Sequence, residues 1–363
     1  MEGRGQDRNS INYNTNGYYL VRLEHVAGDY ILLLEHVAEY CIVLLQHAAD
    51  TIVLLDHTAC EFIVLFEHAA GDTIVLLEHT TCESIVLFEH AAGDTIVMLE
   101  HTACEFIVLF EHAAGDTIVL LEHTTCDSIV LLEHAAADTI VLLDHTACES
   151  NFLLELAAGD TIVMLEHTTC ESIFLFEHAC RTWDAMLEHT TCESIVLFEH
   201  AAGDTIVLLE NMACESIVLL AQSAGDSIAL MEHTSGDSIA IVLFEHAAGE
   251  YIVLLEQAAE DSIFQLEHIA GEAVVLFCAY SRRLYCSDIA RNRRLYSSVI
   301  AHRNCSYFSV EAGSRRLHFC ARAHKYWILS SCKRTQPRTQ HGMLFFCKST
   351  NRRLLCSITA RRG

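Results

Sequence analysis

The stretch Ile74-Val75-Leu76-Leu77-Glu78-His79-Thr80-Thr81-Cys82-Glu83-Ser84 is one copy of an 11-residue unit that is repeated between residues 20 and 278. Histidine marks the register, because it recurs every 11 residues from position 68 to position 145 and again from 167 to 200. Units that continue with Ala-Ala-Gly-Asp alternate with units that continue with Thr-Thr-Cys or Thr-Ala-Cys, so cysteine returns every 22 residues from Cys60 to Cys214. The pattern therefore indicates a tandem array whose structural repeat is a 22-residue double unit.

The residue types of the unit favour a β-strand. An 11-residue period also fits three helical turns of about 3.67 residues each, so an α-helical repeat array is the alternative. On a helical wheel, however, Glu78 falls inside the apolar stripe and Leu76 points away from it. The run from Thr73 to His79 is rich in β-branched residues, and the turn-like sequence Ala91-Ala92-Gly93-Asp94 breaks the chain. The apolar run does not alternate, which we interpret as a strand buried on both faces.

We therefore predict an all-β fold: a β-solenoid-like array of 11-residue strand-turn units, in which coils of 22 residues stack each cysteine on the next. Composition divides the chain further. Residues 1–19 are polar and are expected to be disordered, residues 20–278 form the array, and residues 279–363 form a basic tail that is expected to be poorly structured. Four of the 22 basic residues precede residue 281 and two of the 49 acidic residues follow residue 280, so the formal charges are −43 and +16.

The tail resembles the array read in another frame. Its motif Arg282-Arg283-Leu284-Tyr285 returns 11 residues later as Arg293-Arg294-Leu295-Tyr296, with the period of the array. A DNA segment that encodes the consensus of the array can, when read from the third base of its first codon, encode the run from Ala279 to Ser287. We hypothesise that the tail is an out-of-frame reading of the same tandem DNA. Its positive charge then follows from the codons, and we do not expect a selected nucleic-acid-binding surface.

The repeated Glu-His pair suggests cation binding as an alternative function. Stacked strands place identical side chains about 4.8 Å apart, and imidazole binds zinc, nickel and copper. Adjacent residues on a strand face opposite ways, so Glu78 and His79 are not expected to share a site. No cofactor other than a divalent cation is expected. The candidate ligands of such a ladder are His68, His79, His90, His101, His112 and His123.

Catalysis has little support in the sequence. An active site needs a unique, asymmetric group of residues, whereas the array repeats a few residue types. The chain contains no Gly-rich phosphate loop, no Gly-x-Ser-x-Gly and no His-Glu-x-x-His. We therefore expect no enzyme and no small-molecule substrate. The leading hypothesis is a structural or interaction repeat protein. The alternative is a translated tandem-repeat locus without selected activity, and the count of synonymous differences between DNA copies would separate the two.

Apolar strands without proline predict that the array associates with itself. No apolar run reaches the roughly 18 residues of a membrane helix, and the first residues lack the apolar stretch of a secretory signal. A cytoplasmic location with reduced cysteines is therefore the default expectation.

Carboxylates stacked about 4.8 Å apart should repel one another, which raises their pKa values in the folded state. The array should then become more stable on acidification.

Overall fold

The computed structural model describes residues 9–13, 19–23, 30–35, 41–179, 181–232, 239–245, 249–256, 261–269, 272–279, 283–290, 294–301, 305–312, 316–323, 328–334, 343–349 and 354–360. The regular secondary structure of these residues consists of β-strands. The all-β prediction is therefore confirmed, and the helical alternative is wrong for this part of the chain. The same residues include no helix with the length and hydrophobicity needed to cross a membrane.

The chain forms two compact units, one of residues 1–172 with 176–179 and one of residues 173–175 with 180–363. The first sixteen strands are β1 (Asn9–Tyr13), β2 (Tyr19–Leu23), β3 (Tyr30–Glu35), β4 (Cys41–Ala48), β5 (Thr51–Asp56), β6 (Ala59–Ala69), β7 (Thr73–Glu78), β8 (Thr81–Ala91), β9 (Thr95–Glu100), β10 (Ala103–Ala113), β11 (Thr117–Glu122), β12 (Thr125–Ala135), β13 (Thr139–Asp144), β14 (Ala147–Ala157), β15 (Thr161–Glu166) and β16 (Thr169–Ala179). The remaining strands are β17 (Trp183–Glu188), β18 (Thr191–Ala201), β19 (Thr205–Glu210), β20 (Ala213–Ser223), β21 (Ser227–Glu232), β22 (Ile239–Glu245), β23 (Tyr251–Glu256), β24 (Asp261–Ile269), β25 (Glu272–Ala279), β26 (Arg283–Ala290), β27 (Arg294–Ala301), β28 (Cys305–Ala312), β29 (Arg316–Ala323), β30 (Ile328–Arg334), β31 (Met343–Ser349) and β32 (Leu354–Ala360).

Each coil of the solenoid contains one odd-numbered and one even-numbered strand. In the first unit, β3, β5 and the following odd-numbered strands to β15 form a parallel sheet, called here the odd sheet. The even-numbered strands from β4 to β14 form a second parallel sheet, the even sheet. The second unit repeats both arrangements, with β17 to β31 in one sheet and β18 to β32 in the other. Strands β1 and β2 form a separate antiparallel pair.

The pairing register identifies the 22-residue double unit as one coil. Thr73 pairs with Thr95 on the next odd strand, and Ile107 pairs with Ile129 on the next even strand. A missing residue shortens the spacing to 21 in two strand pairs, β3 with β5 and β4 with β6. A two-residue insertion lengthens the spacing to 23 between β20 and β22 and to 24 between β21 and β23. Parallel pairing continues across both irregularities, so the connections between strands absorb them. The predicted β-solenoid is therefore confirmed.

Burial alternates along the strands of the array from β7 to β15. In β11, Thr117, Val119 and Leu121 point inward and are buried, whereas Ile118 points outward and is 38 % exposed. In β12, Ile129 and Leu131 point inward in the same way. The hydrophobic core therefore lies between the two sheets of the coil. The interpretation that the strands are buried on both faces is wrong, because within the described residues no second layer covers the outward side chains.

Strands also occur at the two ends of the sequence. Strand β1 lies within residues 1–19, and strands β26 to β32 lie within residues 279–363. The strands of this basic stretch pair in parallel, for example Leu295 with Leu317. The three-part division of the chain and the out-of-frame origin of its last part stay predictions.

Candidate functional site

The turns that follow the odd strands from β5 to β15 carry the first candidate site, a histidine row called here the corner row. In the first unit the corner row consists of His57, His79, His101, His123, His145 and His167. Each of these residues has φ between 49° and 51°, a left-handed conformation that is uncommon outside glycine, asparagine and aspartate. Hydrogen bonds between coils support this turn, because the backbone N–H of His79 donates to the carbonyl oxygen of Glu100 at 3.1 Å. The turns therefore stack in register.

The left-handed turn places each corner imidazole beside the carboxylate that precedes it. Nδ1 of His79 lies 3.4 Å from Oε1 of Glu78, and the same distance separates Nδ1 of His167 from Oε1 of Glu166. Ring centroids of successive corner histidines are 4.7–5.1 Å apart. The expectation that Glu78 and His79 cannot share a site is wrong, because His79 lies in a turn rather than on the strand.

A second histidine row, the strand row, lies on the even strands and includes His68, His90, His112 and His134. These side chains are exposed, and their ring centroids are 4.7–4.8 Å apart. Nδ1 of His90 lies 3.2 Å from the carbonyl oxygen of His112. The six histidines proposed from the sequence therefore do not form one ladder. His79, His101 and His123 belong to the corner row, whereas His68, His90 and His112 belong to the strand row.

Sequence reasoning missed a buried carboxyl row. The glutamates that precede the strand row point inward beside a row of threonines on the odd strands. In the first unit, Thr139 Oγ1 donates to Glu133 Oε1 at 3.0 Å, and Thr161 Oγ1 donates to Glu155 Oε1 at 2.8 Å. In the second unit, Thr205 Oγ1 donates to Glu199 in the same way. The sequence places Glu133 on the same strand face as Leu131, two residues earlier, but a single unit does not indicate that this face points inward.

Burial changes the acidity of this row. Desolvation raises the pKa of Glu89 to about 7 and that of Glu133 to about 8, and the neighbouring Glu155 carboxylate raises the pKa of Glu133 further. In the second unit, burial raises the pKa of Glu199 to about 8, against a lowering effect of the Thr205 hydrogen bond. The predicted rise of the carboxyl pKa values is confirmed in direction for this row. Its main cause is burial, with repulsion between stacked carboxylates as a secondary contribution.

The cysteines also stack coil on coil, as predicted for a solenoid. Cys104 pairs in register with Cys82 and Cys126, and the thiol sulfurs of Cys192 and Cys214 are 2.7 Å apart. Hydrogen bonds with the two neighbouring thiols lower the pKa of Cys104 to about 5, whereas the hydrogen bond with Cys104 raises the pKa of Cys126. Hydrogen bonding between stacked thiols therefore shifts the pKa values of neighbouring cysteines in opposite directions, and it also lowers the pKa of Cys214 beside Cys192.

The chain matches no family profile, no curated protein and no solved structure. Its function must therefore be argued from the geometry of these rows. The arrangement offers apolar outward faces, imidazole–carboxylate groups at the corners and a buried row of carboxyls.

Proposed function

We propose that this chain is a non-enzymatic structural repeat protein that associates with a second copy of itself through the outward face of the odd sheet. The observation that carries the proposal is an uninterrupted apolar row on that face in the first unit. The row consists of Ile52, Ile74, Ile96, Ile118, Ile140 and Ile162, which pair in register from β5 to β15. A second outward row of leucine and methionine lies two residues along each strand.

The exposure of this face is unusual for residues of this type. Ile74, Ile118 and Ile162 are each 38 % exposed, Ile52 and Ile140 have similar values, and Ile96 is half-buried. Single exposed isoleucines need no explanation, but contiguous apolar patches of several hundred Å² mark interaction sites. The even sheet is a weaker candidate, because its outward rows include the histidines of the strand row.

The area of the face is sufficient for a stable pair. Six residues at about 3.3 Å each give a strand about 20 Å wide, and six strands at about 4.8 Å give a length of about 29 Å. The face therefore measures roughly 600 Å² in the first unit, and two such faces would bury over 1,000 Å² in total, which is the lower limit for specific interfaces.

The face is also complementary to itself. Two identical sheets have the same spacing between rows, so the isoleucines of one copy fit between the rows of the other, as in packed β-sheets about 10 Å apart. The acidic side chains at the end of each odd strand, such as Glu78 and Glu100, lie at the border of this face. Because like charges on two copies repel, salt should strengthen the association.

The test compares two triple variants of the full chain by sedimentation velocity. The first replaces Ile74, Ile118 and Ile140 with threonine, which keeps the β-branched shape but makes the face polar. The matched control replaces Val86, Val108 and Val130 with threonine, on the outward face of the even sheet. We expect the first variant to be monomeric at concentrations at which the parent and the control associate. The proposal is overturned if the parent is monomeric, if the first variant associates like the parent, or if the control dissociates equally.

A structural role also agrees with the repetition of the same reactive groups through the described coils. Each potential reactive group, whether imidazole, thiol or carboxyl, occurs in successive coils with nearly the same neighbours. Catalysis instead depends on a few groups held in one asymmetric pocket. Multiplicity suits a protein that acts through many equal contacts along its length.

A further inference from the structure

Two steps of the corner row differ from the others, because their carboxylate belongs to aspartate. In the first, Asp56 lies beside His57 and also 3.7 Å from Nδ1 of His79 in the next coil. In the second, Oδ1 of Asp144 lies 2.7 Å from Nδ1 of His145 and 3.6 Å from Nδ1 of His167. One carboxylate oxygen therefore lies between imidazole nitrogens of two successive coils.

These distances fit a metal ion bound by three protein ligands. Two ligands of a tetrahedral zinc ion, each about 2.0–2.2 Å from the metal, are about 3.4 Å apart. The three ligand atoms of each aspartate step all lie within 4.8 Å of one another. The widest of these separations exceeds the tetrahedral value by at most about 1.4 Å, and rotation of the exposed histidine and aspartate side chains about χ1 and χ2 can bring the three ligand atoms to that spacing. Two imidazoles and one carboxylate, with water as a fourth ligand, suit zinc and neighbouring borderline metals, whereas Mg²⁺ and Ca²⁺ prefer oxygen ligands alone.

The length of the acidic side chain explains why only these steps qualify. Glutamate is one methylene longer than aspartate. At two glutamate steps the imidazole therefore faces the carboxylate with Nε2 instead of Nδ1: Nε2 of His101 lies 3.7 Å from Oε1 of Glu100, and Nε2 of His123 lies 3.7 Å from Oε1 of Glu122. Among the described residues, three ligand atoms converge only at the two aspartate steps. The left-handed turn contributes as well, since it directs successive imidazoles to the same side of the corner.

We propose that the corner row contains two zinc sites, one formed by Asp56, His57 and His79 and the other by Asp144, His145 and His167. Each site joins two successive coils, so bound metal ties one coil to the next. This inference is independent of the proposed self-association, because each site is completed within one copy of the chain.

The decisive experiment counts zinc ions bound to the full-length chain by equilibrium dialysis against ZnCl₂, with imidazole present to suppress binding by isolated histidines. The test variants are His79→Asn and His167→Asn. Asparagine is a matched replacement, because Asn211 occupies the same turn in the second unit with φ 53°. The control is His90→Asn, which removes an exposed histidine of the strand row.

We expect each corner variant to lose one zinc equivalent, the double variant to lose two, and His90→Asn to lose none. Zinc should also raise the melting temperature of the parent and of His90→Asn by the same amount, and that of the double variant by less, since a ligand stabilises the state that binds it. The proposal is overturned if the parent binds no zinc under these conditions, if the corner variants keep the full count, or if His90→Asn loses as much zinc as His79→Asn.

Discussion

Replacing Glu199 with glutamine tests the buried carboxyl row directly. Glu199 is 1 % exposed, and its register partner in the following coil is Ala221 rather than another acid. Burial raises its pKa from 4.5 to about 8. At about 1.4 kcal/mol per pKa unit, the ionised carboxylate costs the fold about 5 kcal/mol relative to the protonated carboxyl. Glutamine has the same shape and keeps an oxygen that can accept the hydrogen bond from Thr205, but it cannot ionise.

The sign of the pH dependence follows from linkage. The folded pKa of Glu199 is higher than the unfolded pKa, so the folded state binds more protons between the two values. The stability that the protonated Glu199 carboxyl contributes is complete below pH 4.5 and is lost as the pH rises towards about 8. About 3 kcal/mol of the total is already lost at pH 7, because the unfolded carboxyl is ionised there. The Glu199→Gln variant should therefore gain stability relative to the parent as the pH rises.

The assay is urea unfolding of the full chain, followed by circular dichroism at pH 5, 7 and 9. The matched control is Glu193→Gln, an exposed position on the same strand, β18. We expect the difference between Glu199→Gln and the parent to grow by about 4 kcal/mol between pH 5 and pH 9, and the control to follow the parent. If Glu199→Gln and the parent have parallel pH profiles, Glu199 does not point into the core and the assigned register of β18 is wrong.

Three further predictions concern the core, the corner and the tail. Asn151 occupies the core position at which the preceding coil has Ile129, and its buried amide has only weak thiol partners: Oδ1 accepts from Cys148 Sγ at 3.1 Å, and Nδ2 donates to Cys170 Sγ at 3.9 Å. Asn151→Ile should stabilise the chain by about 1–3 kcal/mol in urea unfolding, and unchanged or lower stability would contradict this. His123 has φ 50°, so His123→Val should cost about 1–3 kcal/mol, because a β-branched residue is strained there, while His123→Asn should cost much less; equal melting temperatures for the two variants would refute the left-handed turn. Sequencing the coding DNA should show array-like Ile-Val-Leu-Leu-Glu-His units in an alternative frame over residues 279–320, and the out-of-frame hypothesis fails if neither alternative frame contains them.

The period of the sequence was sufficient to predict the architecture. Repetition every 22 residues places Cys104 on Cys126 and Thr95 on Thr117, because identical side chains align when identical coils stack. Strand type followed from β-branched residues and turn-like breaks. The turn geometry did not follow, since nothing in a single unit indicates that His79 adopts a left-handed conformation while His90 continues a strand. Consequently the sequence predicts one ladder for the six candidate histidines, whereas the structure has two rows.

The two halves of a coil show why the burial pattern could not be derived from one unit. Ile74 and Ile85 occupy the same position of the 11-residue unit, yet Ile74 points outward and Ile85 is buried. The glutamates follow the same inversion, so Glu78 lies at the corner and Glu89 faces the threonine row. Because side chains alternate with a period of two, a unit that is used in both orientations needs apolar residues at every position of its strand. The run that does not alternate therefore reflects one sequence serving two opposite faces, and a single Glu-His pair produces both an exposed corner row and a buried carboxyl row.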